Sequence, residues 1–305
     1  MEITEVFVIV VTYNGKQWYD RCFSSLLHSE LPVHIVVVDN ASSDDTVEYI
    51  QTHFPEVHLI ASDKNLGFGQ GNNKGISYAL DRGADYVFLL NQDAWIEPDT
   101  ISKLIAVHKE NPQYGILSPM HLNADKTDIE KGLINYVADL KITDSRWIND
   151  LYFTRLKDVY DTSYVNAAAW LLPRKTIETV GGFDPIFYHY GEDDNYMQRV
   201  LFHGLKIGIC PNVRVVHDTE QRVNKTNTTN QDQFKNLLVE FCDINKSNSP
   251  VAFLLYSFLK AFLKALKFRF NLSEKLLTGG IYIFKLKKKI AESRNQNIKV
   301  YRSWL

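Results

Sequence analysis

The sequence predicts an α/β fold in which a mostly parallel central sheet is flanked by helices. Apolar runs of strand length alternate with helical segments up to about residue 110, and this alternation is typical of parallel sheets. The runs are rich in Val, Ile and Leu without polar alternation, which indicates strands buried on both faces. Residues 231–305 are predicted to form a separate C-terminal helical segment that is basic and amphipathic.

The predicted elements follow one another in β-α order. The predicted strands are 6–13, 33–39, 57–61 and 86–90. The predicted helices are 17–28, 46–53, 72–82 and about 98–110. Pro32 and Pro55 interrupt the chain between elements, while Pro98 suits the first turn of the fourth helix.

The pattern weakens between about residues 120 and 165, where mixed strands and loops are expected to cover the sheet edge. Further on, the sequence predicts a strand at 165–172, a turn at 181–184, a helix at 192–203, and short strands at 206–209 and 213–216. The expected division is a catalytic domain over 1–230, with a donor half at about 1–118 and an acceptor half at about 119–230, followed by the segment 231–305.

Composition restricts the class of protein. With 305 residues, 45% hydrophobic and 23% charged, the chain can bury a core without disulfides. Its three widely spaced cysteines favour a reducing compartment. The N-terminus has no secretory pattern, and no uninterrupted apolar stretch reaches the roughly 18 residues of a membrane span. We therefore expect a cytoplasmic protein.

Polar residues follow the predicted strands where a parallel sheet binds its ligands. Asp93 follows the fourth strand and is a candidate ligand for Mg²⁺ or Mn²⁺ shared with substrate phosphates, although a turn or capping role is the alternative. Asp39 ends the second strand and could accept a hydrogen bond from a pyrimidine N–H or bind a ribose. The alternative is a carboxylate with only a structural role in its loop.

A glycine-rich loop is predicted at 65–71, immediately before the third helix. Glycines allow backbone N–H groups to approach a phosphate, and a helix N-terminus favours anions. A dinucleotide-binding fingerprint would follow the first strand, whereas this loop follows the third. Its position argues against an NAD-dependent dehydrogenase.

Two further positions could carry chemistry. Glu192, Asp193 and Asp194 begin a predicted helix, where they either stabilise the helix dipole or supply a general base for a hydroxyl nucleophile. His217 follows a short strand, where it is either a metal ligand or a structural histidine.

Together these residues resemble the family 2 glycosyltransferases, in particular the bacterial rhamnosyltransferase-like branch, which has the GT-A fold. The resemblance covers roughly residues 6–217 and rests on motifs in family order: VTYN at 11–14, VDNASSDDT at 38–46, NLGFGQGNNKG at 65–75, LLNQD at 89–93, GGFD at 181–184, YGED at 190–193, then Arg199, Pro211 and His217.

The resemblance implies an inverting transfer of a sugar from a UDP- or dTDP-sugar to a hydroxyl of a glycan or lipid-linked acceptor, in cell-surface polysaccharide synthesis. It implies Asp193 as the base, with Glu192 beside it, and Mg²⁺ or Mn²⁺ held by Asp93 and His217. The acceptor side is assigned to Gly182, Phe183 and Asp184. The donor-binding residues are Thr12, Tyr13, Asn14, Asp39, Asn65, Gly67, Gly71, Asn72, Asn91 and Asp93.

One position departs from the family pattern. Many members carry Asp-x-Asp at the metal site, and here Asn91 occupies the first position. The alternative hypothesis is therefore an inactive, nucleotide-binding scaffold, against which Asp93 and Asp193 argue. A nucleotidyltransferase is disfavoured because the chain lacks a glycine-rich, basic loop near its N-terminus.

The end of the chain has its own character. Residues 251–305 contain 12 Lys and Arg but only 2 Asp and Glu, in a chain whose net charge is −2. Lys260, Lys264 and Lys267 share one helix face with aromatic and aliphatic residues around it. We expect this segment to lie on the cytoplasmic face of the membrane, with packing on the catalytic domain or in a homodimer as the alternative. Nucleic acid is not expected as a partner, because the aromatic residues suit burial better than base stacking.

Overall fold

The computed structural model describes residues 4–138, 141–220 and 230–305. Its strands are β1 Val6–Thr12, β2 His34–Asp39, β3 His58–Ala61, β4 Tyr86–Asn91, β5 Ala94–Ile96, β6 Tyr114–Leu122, β7 Tyr160–Asp161, β8 Ala169–Pro173 and β9 Lys206–His217. Its helices are α1 Lys16–Leu27, α2 Thr46–His53, α3 Gly67–Asp81, α4 Thr100–Glu110, α5 Lys131–Ala138, α6 Trp147–Tyr152, α7 Arg174–Val180, α8 Glu192–Phe202, α9 Asn230–Cys242, α10 Pro250–Ala265, α11 Phe270–Lys285 and α12 Lys287–Asn297.

The strands of the described residues form a single nine-stranded sheet in the order β3-β2-β1-β4-β8-β6-β9-β5, with β7 paired to β9. Strands β1 to β4 pair in parallel, so the carboxyl ends of β1, β2 and β4 meet at one edge, as the sequence predicts. Strand β8 is antiparallel to β4 and β6, and β6 is parallel to β9. The sheet is therefore mixed beyond β4.

Helices cover both faces of this sheet. Alternate residues of β1 face opposite ways: Val6, Val8 and Val10 pack with α1, α2 and α4, whereas Phe7 and Ile9 pack with α3, α7 and α8. Both clusters consist of fully buried apolar side chains. Burial on both faces explains why the predicted strands are continuous apolar runs.

The structure differs from the sequence-based prediction in three places. The predicted glycine-rich loop is shorter, because α3 begins at Gly67 and residues 67–71 form its first turns. Residues 114–122 form the long buried strand β6, whereas the prediction assigned no element to 111–119 and mixed strands and loops from about residue 120. The two short strands predicted at 206–216 are one strand, β9, whose pairing with β6 shifts register after Pro119.

The C-terminal helices pack on one side of the catalytic core. Helices α9 and α12 contribute to a small apolar cluster that includes Phe187, Leu238, Ile283 and Ile290. Helices α10 and α11 pack against each other as a hairpin, and α11 also contacts α9. Among the residues that the structure describes, no helix is long and apolar enough to cross a membrane.

The last residues of the chain return to the catalytic core. The Gly182 N–H donates to the Ser303 carbonyl at 2.8 Å, and the Asn73 amide donates to the Trp304 carbonyl at 3.1 Å. The Trp304 indole N–H in turn donates to Asn297 Oδ1 of α12 at 2.8 Å. The C-terminal segment is thus tied to α3 and to the segment that precedes α8.

Candidate active site

Three predicted site residues converge at the carboxyl ends of β4 and β9. His217 Nε2 lies 3.5 Å from Asp93 Oδ1 and 3.4 Å from the Asn91 amide nitrogen. Asp93 and His217 are both 3% exposed. Antiparallel pairing of β5 with β9 places Ala94 opposite His217. Asp93, the residue before Ala94, therefore lies beside His217. A carboxylate oxygen and an imidazole nitrogen at this separation can share one divalent cation.

A second group of polar residues is connected by hydrogen bonds at the ends of β1 and β2. Asp39 Oδ1 accepts hydrogen bonds from the Thr12 hydroxyl at 3.1 Å and from the Ser42 hydroxyl at 2.5 Å. Asp39 Oδ2 accepts from the Ser42 N–H at 2.9 Å. Thr12 and Asp39 are almost completely buried. Because both of its carboxylate oxygens accept hydrogen bonds, Asp39 is held in one orientation.

Gln92 fixes the loop that follows β1. Its side-chain oxygen accepts from the Tyr13 N–H at 2.9 Å, and its amide donates to the Tyr13 carbonyl at 3.3 Å. Asn14 has φ +47° and accepts from the Ser43 N–H at 2.8 Å. The Tyr13 ring is left 39% exposed beside this loop. Tyr13 is thus available to a ligand on a backbone that Gln92 holds.

The start of α3 is fixed by side-chain amides. Asn40 donates to the Gly67 carbonyl at 3.0 Å and accepts from the Leu66 N–H at 3.1 Å, while Asn65 accepts from the Gly67 N–H at 2.8 Å. Gly67 has φ +76°, and a Cβ there would overlap the Tyr188 carbonyl oxygen. Only glycine satisfies both conditions, so Gly67 brings the donor half against the segment before α8.

The other glycines of α3 serve helix packing. A Cβ on Gly71 would lie 2.9 Å from Val11 Cγ1, and one on Gly69 would lie 2.9 Å from Phe183 Cβ and 3.5 Å from Glu192 Cβ. Asn72 is buried, and its amide donates to the Phe68 carbonyl within the helix. Gly71 and Asn72 are therefore placed at the core-facing side of α3, which allows α3 to approach both β1 and α8 closely.

The predicted base lies at the start of α8. Asp193 is half-buried; its Oδ2 accepts from the Tyr164 hydroxyl at 3.2 Å and its Oδ1 from the Asp194 N–H at 2.9 Å. Burial raises the pKa of Asp193, an effect that these hydrogen bonds oppose. Burial and the neighbouring Asp193 raise the pKa of Glu192 to about 8, and the same causes raise the pKa of Asp194 to about 6.

The segment before β8 connects Asp193 to the end of β4. Tyr164, which donates to Asp193, is four residues before Ala168, whose carbonyl accepts from the Asn91 N–H at 2.9 Å. Four residues span at most about 14 Å. The Tyr164–Ala168 segment therefore connects Asp193 to the end of β4 at Asn91, and the start of α3 approaches Glu192 at Gly69.

Gly182, Phe183 and Asp184 are buried and hold other elements. Phe183 packs among Trp170 and Tyr196, and its N–H donates to Asn73 Oδ1 at 2.7 Å. The Asp184 carboxylate accepts from Ser293 and Asn297 of α12, at 2.5 and 2.8 Å. The side chains of Phe183 and Asp184 are thus used in internal contacts, and the acceptor role of the three residues stays a prediction.

A cavity of about 620 Å³ lies where that segment meets the C-terminal helices. Its walls include Tyr188, Tyr190, Lys235, Tyr282 and Lys289. The Lys235 ammonium lies 4.7 Å from the Tyr190 ring centroid and also lowers the pKa of Asp193. This cavity could not be predicted from the sequence, because its residues come from segments more than 40 positions apart.

Two buried residues near His217 were also not predicted. His121 in β6 and Glu130 each offer a ligand atom within 4.8 Å of that of His217. Burial lowers the pKa of His121 to about 3, so its ring is neutral. They were missed because strand β6, which carries His121, was not recognised.

The chain is similar to proteins of one known family. The model of glycosyl transferase family 2 matches residues 7–180. A dTDP-rhamnosyl transferase of Shigella flexneri is 24% identical over 214 residues, which are 70% of this chain and 69% of the relative. An N-acetylglucosaminyl-diphospho-decaprenol L-rhamnosyltransferase of Mycobacterium tuberculosis is 26% identical over 249 residues, 75% of this chain and 79% of the relative.

Solved structures show the same fold. S. aureus TarS in complex with UDP matches with a TM-score of 0.59 at 15% identity, covering 99% of this chain and 90% of that one. A mannosyltransferase of Pyrobaculum calidifontis in complex with GDP-Man and Mn²⁺ matches with a TM-score of 0.56 at 17% identity, covering 97% and 76%. With its GT-A fold and its family match over more than half of its length, the chain belongs to glycosyltransferase family 2, in the rhamnosyltransferase-like branch.

Proposed function

We propose that this chain is a metal-dependent, inverting glycosyltransferase that moves a sugar from a UDP- or dTDP-sugar to a hydroxyl of a glycan or lipid-linked acceptor. The observation that carries the proposal is the buried Asp93–His217 pair beside the end of β4, a strand to which the Tyr164–Ala168 segment connects Asp193. A dTDP-rhamnosyl transferase and a diphospho-decaprenol L-rhamnosyltransferase among the relatives support a nucleotide-sugar donor and a lipid-linked acceptor, as expected in cell-surface polysaccharide synthesis.

The donor side is supported by the residues at the carboxyl ends of β1, β2 and β4. Asp39, fixed by Thr12 and Ser42, can accept a hydrogen bond from a pyrimidine base, against which the exposed Tyr13 ring can pack. Asp93 and His217 fit Mg²⁺ or Mn²⁺, which when bound would neutralise the charge of the departing diphosphate. Asn91 orients His217 without adding charge.

The base is supported by the electrostatics of α8. A sugar hydroxyl is a weak nucleophile, and a positioned carboxylate increases its reactivity by accepting its proton. Asp193 has a raised pKa and a fixed orientation, since both its oxygens accept hydrogen bonds. These features favour a working enzyme over the alternative of an inactive nucleotide-binding scaffold.

The acceptor is proposed to enter through the cavity between the Tyr188–Tyr190 segment and helices α9, α11 and α12. One wall of the cavity is formed by the residues that precede α8 in the chain, and Lys235, also in its wall, acts electrostatically on Asp193. Its aromatic rings can stack on sugar rings, while Lys235 and Lys289 can bind an anion such as the diphosphate of a lipid carrier.

A position at the membrane surface is proposed for the α10–α11 hairpin. Its exposed apolar side chains include Leu255, Phe258, Leu259, Phe262, Leu266, Phe268 and Phe270. Lys260, Lys264, Lys267 and Arg269 lie among them. Apolar side chains interspersed with cations match an anionic lipid surface, and a lipid-linked acceptor would be met there. A homodimer through the same face is the alternative outcome of the test below.

Ligand-dependent thermal unfolding tests the donor assignment. UDP, dTDP, GDP and NAD are each added with and without Mn²⁺. A ligand at 100 times its dissociation constant adds about 2.7 kcal/mol, which raises the midpoint of a domain of this size by roughly 5–10 °C. We expect a Mn²⁺-dependent shift with UDP or dTDP. A shift of the unfolding midpoint with NAD alone would contradict the proposed donor site. The absence of a shift with every nucleoside diphosphate would contradict it as well.

A further inference from the structure

A buried cluster of metal-ligating side chains lies behind the Asp93–His217 pair. His121, Glu130 and His217 each present a ligand atom, and these atoms lie within 4.8 Å of one another. The three residues are 0%, 4% and 3% exposed. Ligand atoms that bind one cation at about 2.0–2.2 Å are separated by at most about 4.4 Å. Small side-chain movements would therefore bring all three ligand atoms within bonding distance of one cation.

The fold brings the three residues together at adjacent strand ends. In the parallel pairing of β6 with β9, His121 lies opposite Val215, two residues before His217. The chain then turns back, and the Glu130 N–H donates to the His121 carbonyl at 2.9 Å. The cluster is therefore built on two strands of the central sheet and one short return of the backbone.

His121 has a ring nitrogen available for a ligand. Its Nε2 lies 3.2 Å from the Ser118 hydroxyl, which orients the ring. Its Nδ1 is buried and has no hydrogen-bond partner within the part of the chain that the structure describes. A buried polar atom without a partner is costly, and most such atoms in proteins are satisfied. A bound cation would satisfy His121 Nδ1.

Glu130 is oriented by donors outside the cluster. Its Oε1 accepts from the Thr219 hydroxyl at 3.0 Å, and its Oε2 accepts from the Leu133 N–H at 2.9 Å. Carboxylate oxygens have further lone pairs, so both can still bind a cation. Hydrogen bonds of this kind hold a ligand in place before the metal arrives.

We propose that His121, Glu130 and His217 form a preorganised site for one divalent cation of the transition series. Two imidazoles and one carboxylate favour Mn²⁺, Co²⁺ or Zn²⁺ over Mg²⁺, which prefers oxygen ligands and keeps its waters. Asp93 lies 3.5 Å from His217 and joins the cluster to the donor side. The inference rests on the proposed metal-dependent transfer, and it adds that the cation binds without the nucleotide.

Calorimetric titration of the chelator-treated full chain with MnCl₂, CoCl₂, ZnCl₂ and MgCl₂, without nucleotide, tests this site. We expect about one equivalent of Mn²⁺ or Co²⁺ to bind, and Mg²⁺ to bind at least tenfold more weakly. His121→Gln and Glu130→Gln should each weaken binding at least tenfold. His108→Gln is the matched control, because His108 is paired with Tyr86 outside the cluster.

The results separate this inference from the proposed function. Absence of binding by the wild type, equal affinity for Mg²⁺ and Mn²⁺, or unchanged binding by His121→Gln and Glu130→Gln would overturn the site. The visible spectrum of the Co²⁺-loaded wild type gives a second measurement if a variant fails to fold, since nitrogen ligation changes its bands from those of aqueous Co²⁺. A chain that binds Co²⁺ but no nucleotide would disprove the transferase proposal while supporting the site.

Discussion

The Tyr164 hydroxyl donates a hydrogen bond to Asp193 Oδ2 at 3.2 Å, and this bond stabilises the charged form of the proposed base. It lowers the pKa of Asp193, in opposition to burial, which raises it. A base acts only when deprotonated, so this bond extends activity to lower pH.

Tyr164→Phe removes that bond. The pKa of Asp193 should rise, so the acid limb of the kcat profile should move to higher pH. Hydrogen bonds to charged groups contribute about 1.5–3 kcal/mol, so we expect a loss of roughly tenfold or more in kcat at pH 6 and a smaller loss at pH 8.5. Tyr152→Phe, on an exposed ring, is the control. An unchanged pH profile would show that Tyr164 does not act on the base.

Glu192→Gln should stabilise the fold at neutral and alkaline pH. The folded pKa of Glu192, about 8, lies above its unfolded value of 4.5, so the folded state holds a proton that the unfolded state has released. The free energy of unfolding of the wild type should therefore fall as pH rises from about 4.5 to 8. At pH 8 the substitution should add about 2–4 kcal/mol, because one pKa unit corresponds to about 1.4 kcal/mol. Chemical denaturation at pH 5 and pH 8 measures the difference, and a variant with the same pH dependence as the wild type would refute it.

Asp184→Ala should loosen the C-terminal helices from the core. The substitution leaves Ser293 and Asn297 of α12 without their buried acceptor, and the expected cost is about 2–4 kcal/mol. Amide hydrogen exchange should become faster in α12 and in residues Ser303–Leu305. Asn295→Ala, an exposed change on the same helix, should have no such effect. Equal protection of α12 in Asp184→Ala and wild type would argue against this anchoring role.

Phe262→Asp with Phe268→Asp should abolish binding to anionic vesicles. Burying an aromatic side chain contributes about 1.5–3 kcal/mol, so the double variant should bind at least tenfold more weakly. Sedimentation with phosphatidylglycerol vesicles measures the affinity for the lipid surface. Tyr152→Asp, on an exposed aromatic ring of α6, is the control. If the wild type is a dimer that the double variant dissociates, while vesicle binding stays unchanged, the face is a subunit interface instead.

The sequence predicted strands β1, β2 and β4 well, because they are continuous apolar runs followed by polar residues. It failed at β6, where Ser118, Pro119 and His121 interrupt the apolar pattern although the strand is buried. His121 and Glu130 were missed for that reason. The antiparallel direction of β8 and the cavity near Lys235 depend on contacts between distant segments, which local pattern does not encode.

The central claim is that Asp193 accepts the proton of the acceptor hydroxyl. The most direct measurement is turnover of Asp193→Asn beside its donor affinity, with Asp194→Asn as the matched control on the adjacent carboxylate. The account predicts unchanged affinity for the nucleoside diphosphate and a fall in kcat of about 10²–10⁴ for Asp193→Asn, with Asp194→Asn close to wild type. Near-wild-type turnover by Asp193→Asn would contradict it.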